Sequence, residues 1–297
     1  MLQQLGYSAA DKLLIINADD FGLTQGTNES IIRLFVSGRL SSASLMMPCL
    51  SSVDAINRSI AAGVKQFGIH LTLTSDNYQN YSPVYQERPL SSITRSDGTF
   101  HIDCAQFERQ ADVEEVRIEL ETQIQQAYAS GVDVTHLDNH AGSLFGLHTG
   151  RDFLEIAFDL SIKYQLPFNL PRRIVEQPYF NNDQLQLFQT RLVSARERGI
   201  VLIDDMIALP YSFQPMPEYA IMKAKLMELL HSLQPGITQL TVHPSLVTDS
   251  LRALTDCYSE REIEHQLLQD DEIMQILRLE EIHLLSWKEV RDLQRRL

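Results

Sequence analysis

The feature that most constrains this chain is a rhythm of short apolar runs with strand-like branching, separated by amphipathic helical stretches over its 297 residues. Residues 13–16, 42–47, 67–74, 133–137, 167–170, 200–203, 237–243 and 282–286 read as strands, about eight in all. Between them, residues 51–62, 113–130, 152–164, 183–198, 219–233 and 260–279 carry helical periodicity. Another helix follows the first strand, capped by Thr27 or Asn28 and stopped by Gly38, and a short one closes the tail. Alternating strands and helices imply a parallel sheet with right-handed crossovers. Such a sheet is either open and doubly wound or closed into a barrel. No Gly-x-Gly-x-x-Gly or Gly-Lys-Ser/Thr phosphate loop follows any strand, which removes the usual nucleotide-binding grounds for the open form. Eight units at this length predict an α/β fold of the TIM-barrel-like (β/α) type, irregular and mainly parallel.

The rhythm breaks once. From about 75 to 111 the chain carries prolines, polar residues and Tyr78, Tyr81 and Tyr85 without sustained periodicity. A loop of that length in a compact domain is a lid, a substrate-binding wall or an inert insertion. No composition shift marks a linker and no internal repeat is present, so residues 1–297 are expected to form one domain carrying this insertion. Twenty-five basic residues against 39 acidic ones give a net charge of −14, which disfavours nucleic acid and anionic membrane as partners. No apolar run approaches the roughly 20 residues that span a bilayer. The first residues show neither a basic start nor an apolar signal core, so a cytoplasmic location is expected. Cys49, Cys104 and Cys257 are far apart and odd in number, which fits neither a metal-spaced pair nor a disulfide framework.

Polar residues gather where strands end. The run Leu14-Ile15-Ile16-Asn17-Ala18 stops at Asp19-Asp20, His70 alternates with apolar residues in the third strand, His136-Leu137-Asp138-Asn139-His140 closes the fourth, and His243-Pro244 closes the seventh. Two adjacent acids at a buried strand tip lose hydration and repel unless a cation or strong donors wait there; either could equally cap the helix that follows. Taken singly, each histidine has an ordinary explanation as a hydrogen-bonded core or surface residue. In a barrel, however, these ends converge on one mouth. A carboxylate and two histidines with positions left open describe a catalytic divalent-metal site. Asp138 orients a histidine or is a solvated loop acid, His136 is a candidate supporting residue, and both are weak candidates for substrate binding.

The blocks Asn17-Ala18-Asp19-Asp20-Phe21-Gly22, Asn28-Glu29-Ser30-Ile31, Gly68-Ile69-His70-Leu71-Thr72, Thr135-His136-Leu137-Asp138-Asn139-His140 and Val242-His243-Pro244, with Arg261-Glu262 near the end, occur in an order that resembles the YdjC-like (ChbG/HpnK) carbohydrate deacetylases. The resemblance implies a TIM-barrel-like fold, a divalent cation (usually Mg²⁺, with Zn²⁺ or Mn²⁺ as alternatives) and hydrolysis of acetyl groups from N-acetylated sugars or oligosaccharides. It implies Asp20, His70 and His140 as metal ligands, Asp19 as catalytic base and His243 as general acid. A homodimer is suggested by the resemblance alone. One departure stands out: many members carry a second histidine two places beyond the position of His140, and here that place is Gly142. Two rival functions remain on the residues alone. A metal-dependent phosphoesterase would need cations for phosphate, for which only Arg39 and Arg151 present themselves. A sugar-binding or regulatory barrel without catalysis would have no use for an acid beside a metal ligand.

Overall fold

The computed structural model describes residues 1–211 and 218–297. Seven strands form one sheet: β1 (Lys12–Phe21), β2 (Ser42–Leu45), β3 (Gln66–Leu71), β4 (Asp133–Asn139), β5 (Asp205–Ala208), β6 (Gly236–Val242) and β7 (Ile282–Leu284). Their order is β4-β3-β2-β1-β6-β5, every strand pair is parallel, and β7 pairs with the first residues of β1. Since β6 takes one edge of β1 along residues 12–18, β7 and β2 share the other edge, one after the other. The gap between β4 and β5 is spanned by the segment after residue 166. Leu137 N donates to Pro167 O (3.0 Å) and Asn169 N to Leu137 O (2.8 Å) on one side; Arg172 N donates to Ile203 O (3.0 Å) and Arg173 N to Asp204 O (2.9 Å) on the other. The result is an irregular (β/α) barrel.

Helices wrap it: α1 (Gln25–Val36), α2 (Ser52–Ala61), α3 (Cys104–Gln110), α4 (Val113–Ala129), α5 (Leu154–Tyr164), α6 (Asn182–Glu197), α7 (Tyr219–His231), α8 (Asp249–Leu254), α9 (Tyr258–Gln269), α10 (Asp271–Leu279) and α11 (Trp287–Gln294). Among the described residues no helix is long and apolar enough to cross a membrane.

Strand alternation explains the interior. On β1, Leu14, Ile16 and Ala18 join the large outer core beneath the helices, whereas Leu13 and Ile15 join a smaller cluster with Ile203, Ile237, Val290 and Trp287. That second face continues upward as Asn17 and Asp19 on β1, Ser44 on β2, His70 on β3 and Asp138 on β4. It is therefore apolar at the bottom, polar in the middle and ionisable at the top. Trp287 plugs the bottom: fully buried, it stacks on His136 at 4.7 Å and its Nε1 donates to Gln239 Oε1 at 2.7 Å. Gly68 makes room for this stack, since a Cβ there would lie 2.3 Å from His136 Cε1.

Several expected elements are corrected. Residues 200–203 are no strand; Val201 and Ile203 pack against the bottom plug, Val201 N bonds Gln294 Oε1, and the ladder begins at Asp205. Residues 167–170 make a single bridge, to Leu137, rather than a strand: Pro167 and Pro171 lack the N–H groups a ladder needs, and the pairing toward the other side is taken over by Arg172 and Arg173. The expected helix 260–279 is two helices broken at Asp270, whose carboxylate caps the second. Thr24, rather than Thr27 or Asn28, caps α1; α8 is unexpected, and so is α3, which lies within the stretch 75–111 read as a loop and starts at the cap Asp103. The segment from 204 to Pro217, with its prolines and broken periodicity, reads as a second loop in the sequence; its residues Asp205–Ala208 instead form β5, and residues 212–217 lie outside the described residues.

Candidate metal centre

The acids at the tip of β1 are held in different ways. Asp19 faces the barrel interior and accepts a 2.7 Å hydrogen bond from Asn17 Nδ2, two residues below on the same face. Strand alternation would send Asp20 to the opposite face. Its backbone instead departs from strand geometry into the left-handed region, at φ 60°, and its carboxylate lines the same cavity as Asp19. That conformation costs a non-glycine residue roughly 1–3 kcal/mol and persists only where its surroundings enforce it. Here they do. Leu23 N bonds Asp20 O, and Gly22 N donates to Asn28 Oδ1 at 2.9 Å, while the Asn28 amide reaches Ser51 O and Asp54. Gly22 itself (φ 100°) abuts Met46 O and Ser52 Cα, leaving no room for a side chain.

Asp20, His70 and His140 meet at the mouth of the barrel. Asp20 Oδ1 lies 3.6 Å from His70 Nε2 and 3.5 Å from His140 Nδ1, and all three residues are buried. One oxygen and two ring nitrogens thus lie within 4.8 Å of one another, as the ligands of a single ion would. Each histidine also presents its other nitrogen to a carboxylate. His70 Nδ1 pairs with Asp138 Oδ1 at 2.8 Å, and His140 Nε2 with Asp76 Oδ1 at 3.0 Å, with Asp76 held in turn by the Tyr81 hydroxyl at 2.5 Å. A carboxylate behind an imidazole fixes its tautomer and raises its basicity, the usual arrangement of a histidine metal ligand.

The far wall comes from α9 and the end of β6. Arg261 Nη2 donates to Asp20 Oδ2 at 2.7 Å. One turn further, Glu264 Oε2 accepts from the backbone N–H of His243 at 2.6 Å and from the Tyr211 hydroxyl at 2.7 Å. The His243 ring stands edge-on to Tyr211, centroids 5.2 Å apart. Tyr211, His243 and Arg261 line, with Asp19, Asp20, His70 and His140, a cavity of about 370 Å³, and Glu264 supports them from behind.

Charge follows from these contacts. Burial, with Asp138 and Asp20 as like charges, pushes Asp19 up to about 7, against the pull of His70 and Asn17. For Asp20 burial is overcome by Arg261, His140 and His243, which hold its carboxyl well below the usual range. Burial likewise opposes, without preventing, a rise of His70 to about 9 beside Asp138 and Asp19, and of His140 to about 10 beside Asp76 and Asp20. Burial drives His243 down to about 4, Arg261 adding to the effect, so its ring is neutral at pH 7. Burial raises Glu264 to about 7.

Of the residues expected from sequence, Asp19, Asp20, His70, His140 and His243 line this one cavity, with Asp138 directly behind His70. His136 lies deeper, in the stack with Trp287, and does not reach the cavity. Gly142 lies in the turn after His140, away from the cavity lining. Arg39 pairs with Asp271, and Arg151 with the carbonyls that end α3, both away from the site. Asp76, Tyr211, Arg261 and Glu264 were not singled out beforehand. Only Arg261 carried a signal, as part of a recurring Arg-Glu pair. The long 75–111 loop supplies Asp76, and it is packed rather than loose: Tyr81, Leu90, Ile93 and Phe100 are buried, and Glu119 of α4 accepts the N–H groups of Val84 and Tyr85.

Known proteins resemble this one over nearly its full length. A protein named carbohydrate deacetylase from Thermoanaerobacter pseudethanolicus is 29% identical over 276 residues, covering 93% of this chain and 98% of that protein. One of the same name from Brevibacillus brevis is 26% identical over 279 residues, covering 93% and 99%. A crystal structure from Enterococcus faecalis, provisionally described as a cellobiose-phosphate cleavage protein, superposes with a TM-score of 0.75 at 25% identity over 95% of this chain and 99% of that one. Residues 13–279 match the family model described as YdjC-like protein, and the chain belongs to that family.

Proposed function

We propose that this protein is a metal-dependent carbohydrate deacetylase that hydrolyses the acetamide of N-acetylated sugars or short oligosaccharides. The observation that carries the reading is the triad of Asp20, His70 and His140, each histidine backed by its own carboxylate, with a further acid of raised pKa alongside. The donor set suits a divalent cation: one carboxylate oxygen and two imidazole nitrogens leave positions open, and two imidazoles favour Zn²⁺ or a similar transition ion over Mg²⁺. Such an ion would supply Lewis acidity toward water and the acyl oxygen.

The remaining chemistry falls to the chain. Asp19, poised near neutrality, takes the proton from the attacking water; Asn17 keeps its carboxylate turned inward for that step. His243 rests neutral. As negative charge develops on the substrate beside it, its proton affinity rises; it takes up a proton from solvent and passes that proton to the departing sugar amine, while Asp19 gives the proton it took from water back to solvent. Glu264 fixes the His243 backbone and Arg261 fixes Asp20, so a single helix holds both sides of the centre.

The deciding experiment is acetate release from short N-acetylglucosamine oligomers by metal-stripped protein, with Zn²⁺, Mn²⁺ or Mg²⁺ restored in turn. Release is expected to need metal and to vanish in His70→Ala. Asp19→Asn is expected to keep metal while losing turnover by roughly 10²-fold or more; wild-type rates in that variant would remove Asp19 as the base. No release from folded, metal-loaded protein would remove the reading.

A further inference from the structure

The outer half of the cavity is built by two loops that meet across its mouth. One carries Asp76 and Tyr78 after β3; the other carries Thr255 and Asp256 between α8 and α9. The Tyr78 hydroxyl donates to Asp256 Oδ2 at 2.9 Å and ties the two together, although Tyr78 as a residue remains 58% exposed. A sugar unit adjoining the reacting acetamide must lie against this pair, which offers an aromatic face and a carboxylate that accepts from hydroxyls.

Among the described residues, the same half offers an anion no free cationic side chain. Arg261 is the one Lys or Arg in the described lining, and its Nη2 is committed to Asp20; its Nε and Nη1 have no hydrogen-bond partner but are buried. Residues 212–217, which follow Tyr211, contain no Lys or Arg in their sequence. The start of α9 could attract an anion through its backbone N–H groups, but Asp256 precedes it and Glu260 lies in its first turn. Phosphate recognition depends on Arg or Lys forks or on free helix N-termini; among the described residues the mouth has no Lys or Arg free to reach in, and its one helix N-terminus is flanked by two acids. We infer that the site accepts an uncharged sugar next to the reacting unit and turns away a phosphorylated one, and that Asp256, tethered by Tyr78, enforces the choice.

This rests on the deacetylase reading. The test compares kcat/KM for acetate release from N,N′-diacetylchitobiose and from its 6-phosphate, using metal-loaded wild type, Asp256→Asn and Asp256→Lys. The wild-type ratio of phosphorylated to neutral sugar is expected to be about 0.1 or lower, to rise at least fivefold in Asp256→Asn, and to rise further in Asp256→Lys. A wild-type ratio of one or more overturns the inference and leaves the deacetylase reading standing. A low ratio that neither substitution moves overturns the assignment to Asp256. If neither sugar is hydrolysed, the deacetylase reading fails and the inference with it.

Discussion

At the scale of single residues, the metal centre depends on groups one step removed from it. Asp138 touches no open space in the cavity, yet its Oδ1 lies 2.8 Å from His70 Nδ1 and sets which ring nitrogen is left for an ion. Asp138→Asn keeps the shape and removes the charge. It is expected to weaken metal affinity about 10- to 100-fold, measured by competition with a chromophoric chelator; unchanged affinity would show that His70 needs no carboxylate partner. Asp19, Asp20, His70, His140 and His243 were legible because each ends or interrupts an apolar run, where a polar residue is conspicuous. Asp76 was not, because it lies in a stretch with no periodicity to stand out from. Arg261 and Glu264 sit on a helix rich in acids and glutamines, where two more charged residues look like an ordinary solvated face. The Arg261-Glu262 pair marks the position without a role; the fold supplies it, by bringing residue 261 within 2.7 Å of residue 20.

At the scale of elements, close packing at the barrel bottom makes β3 sensitive to one methyl group. Gly68→Ala places a Cβ against the His136 ring, which Trp287 already stacks upon. Overpacking of this kind costs about 1–3 kcal/mol. A lower denaturation midpoint is expected, with a changed emission from Trp287, the only tryptophan of the chain; unaltered stability and emission would contradict the plug. The break between α9 and α10 yields a pH prediction. Asp270 Oδ1 caps α10 through Glu272 N (2.9 Å), and Oδ2 receives Tyr219 and Lys223, both at 2.6 Å. Lys223 and Tyr219 lower its pKa from 3.8 to about 2. A depressed carboxylate contributes stability that is complete above its unfolded pKa and is lost as pH falls through the folded one. The gap in unfolding midpoint between wild type and Asp270→Asn, which keeps the cap, should therefore be constant above about pH 5 and close toward pH 2; a gap that widens with acid would refute it. Periodicity could not reveal this break, since apolar spacing runs through Asp270 almost unchanged. It erred in the other direction at 200–203, where an apolar run is buried as a plug rather than paired in a ladder. Strands that alternate, such as β3, were legible; irregular extended segments were not.

At the scale of the whole molecule, parallel alternation announced the barrel, but its closure was hidden. The sheet path ends at β4 and β5, and the segment between Pro167 and Arg173 bridges them with only a few backbone hydrogen bonds, too short and too interrupted by proline to be recognised. The two ends of the barrel are then held by different means. Trp287 ties β3, β4 and β6 together at the bottom through packing. At the top, β1, β3 and β4 deliver Asp20, His70 and His140 to one point, together with three more acids at Asp19, Asp76 and Asp138. An ion shared by the three ligands would cross-link the strands at the end that packing leaves open. It would bind the folded chain far better than the unfolded one, where the ligands are 50 to 120 residues apart. At a hundredfold excess over its dissociation constant, the ion should add about 2.7 kcal/mol, a rise in Tm of roughly 5 °C for a protein of this size. The shift should survive in Asp19→Asn, which leaves all three ligands in place, and disappear in His140→Ala. A rise of equal size in His140→Ala would place the ion elsewhere, and no rise with Zn²⁺, Mn²⁺ or Mg²⁺ would mean that hydrogen bonds, rather than a metal, hold the top of the barrel together.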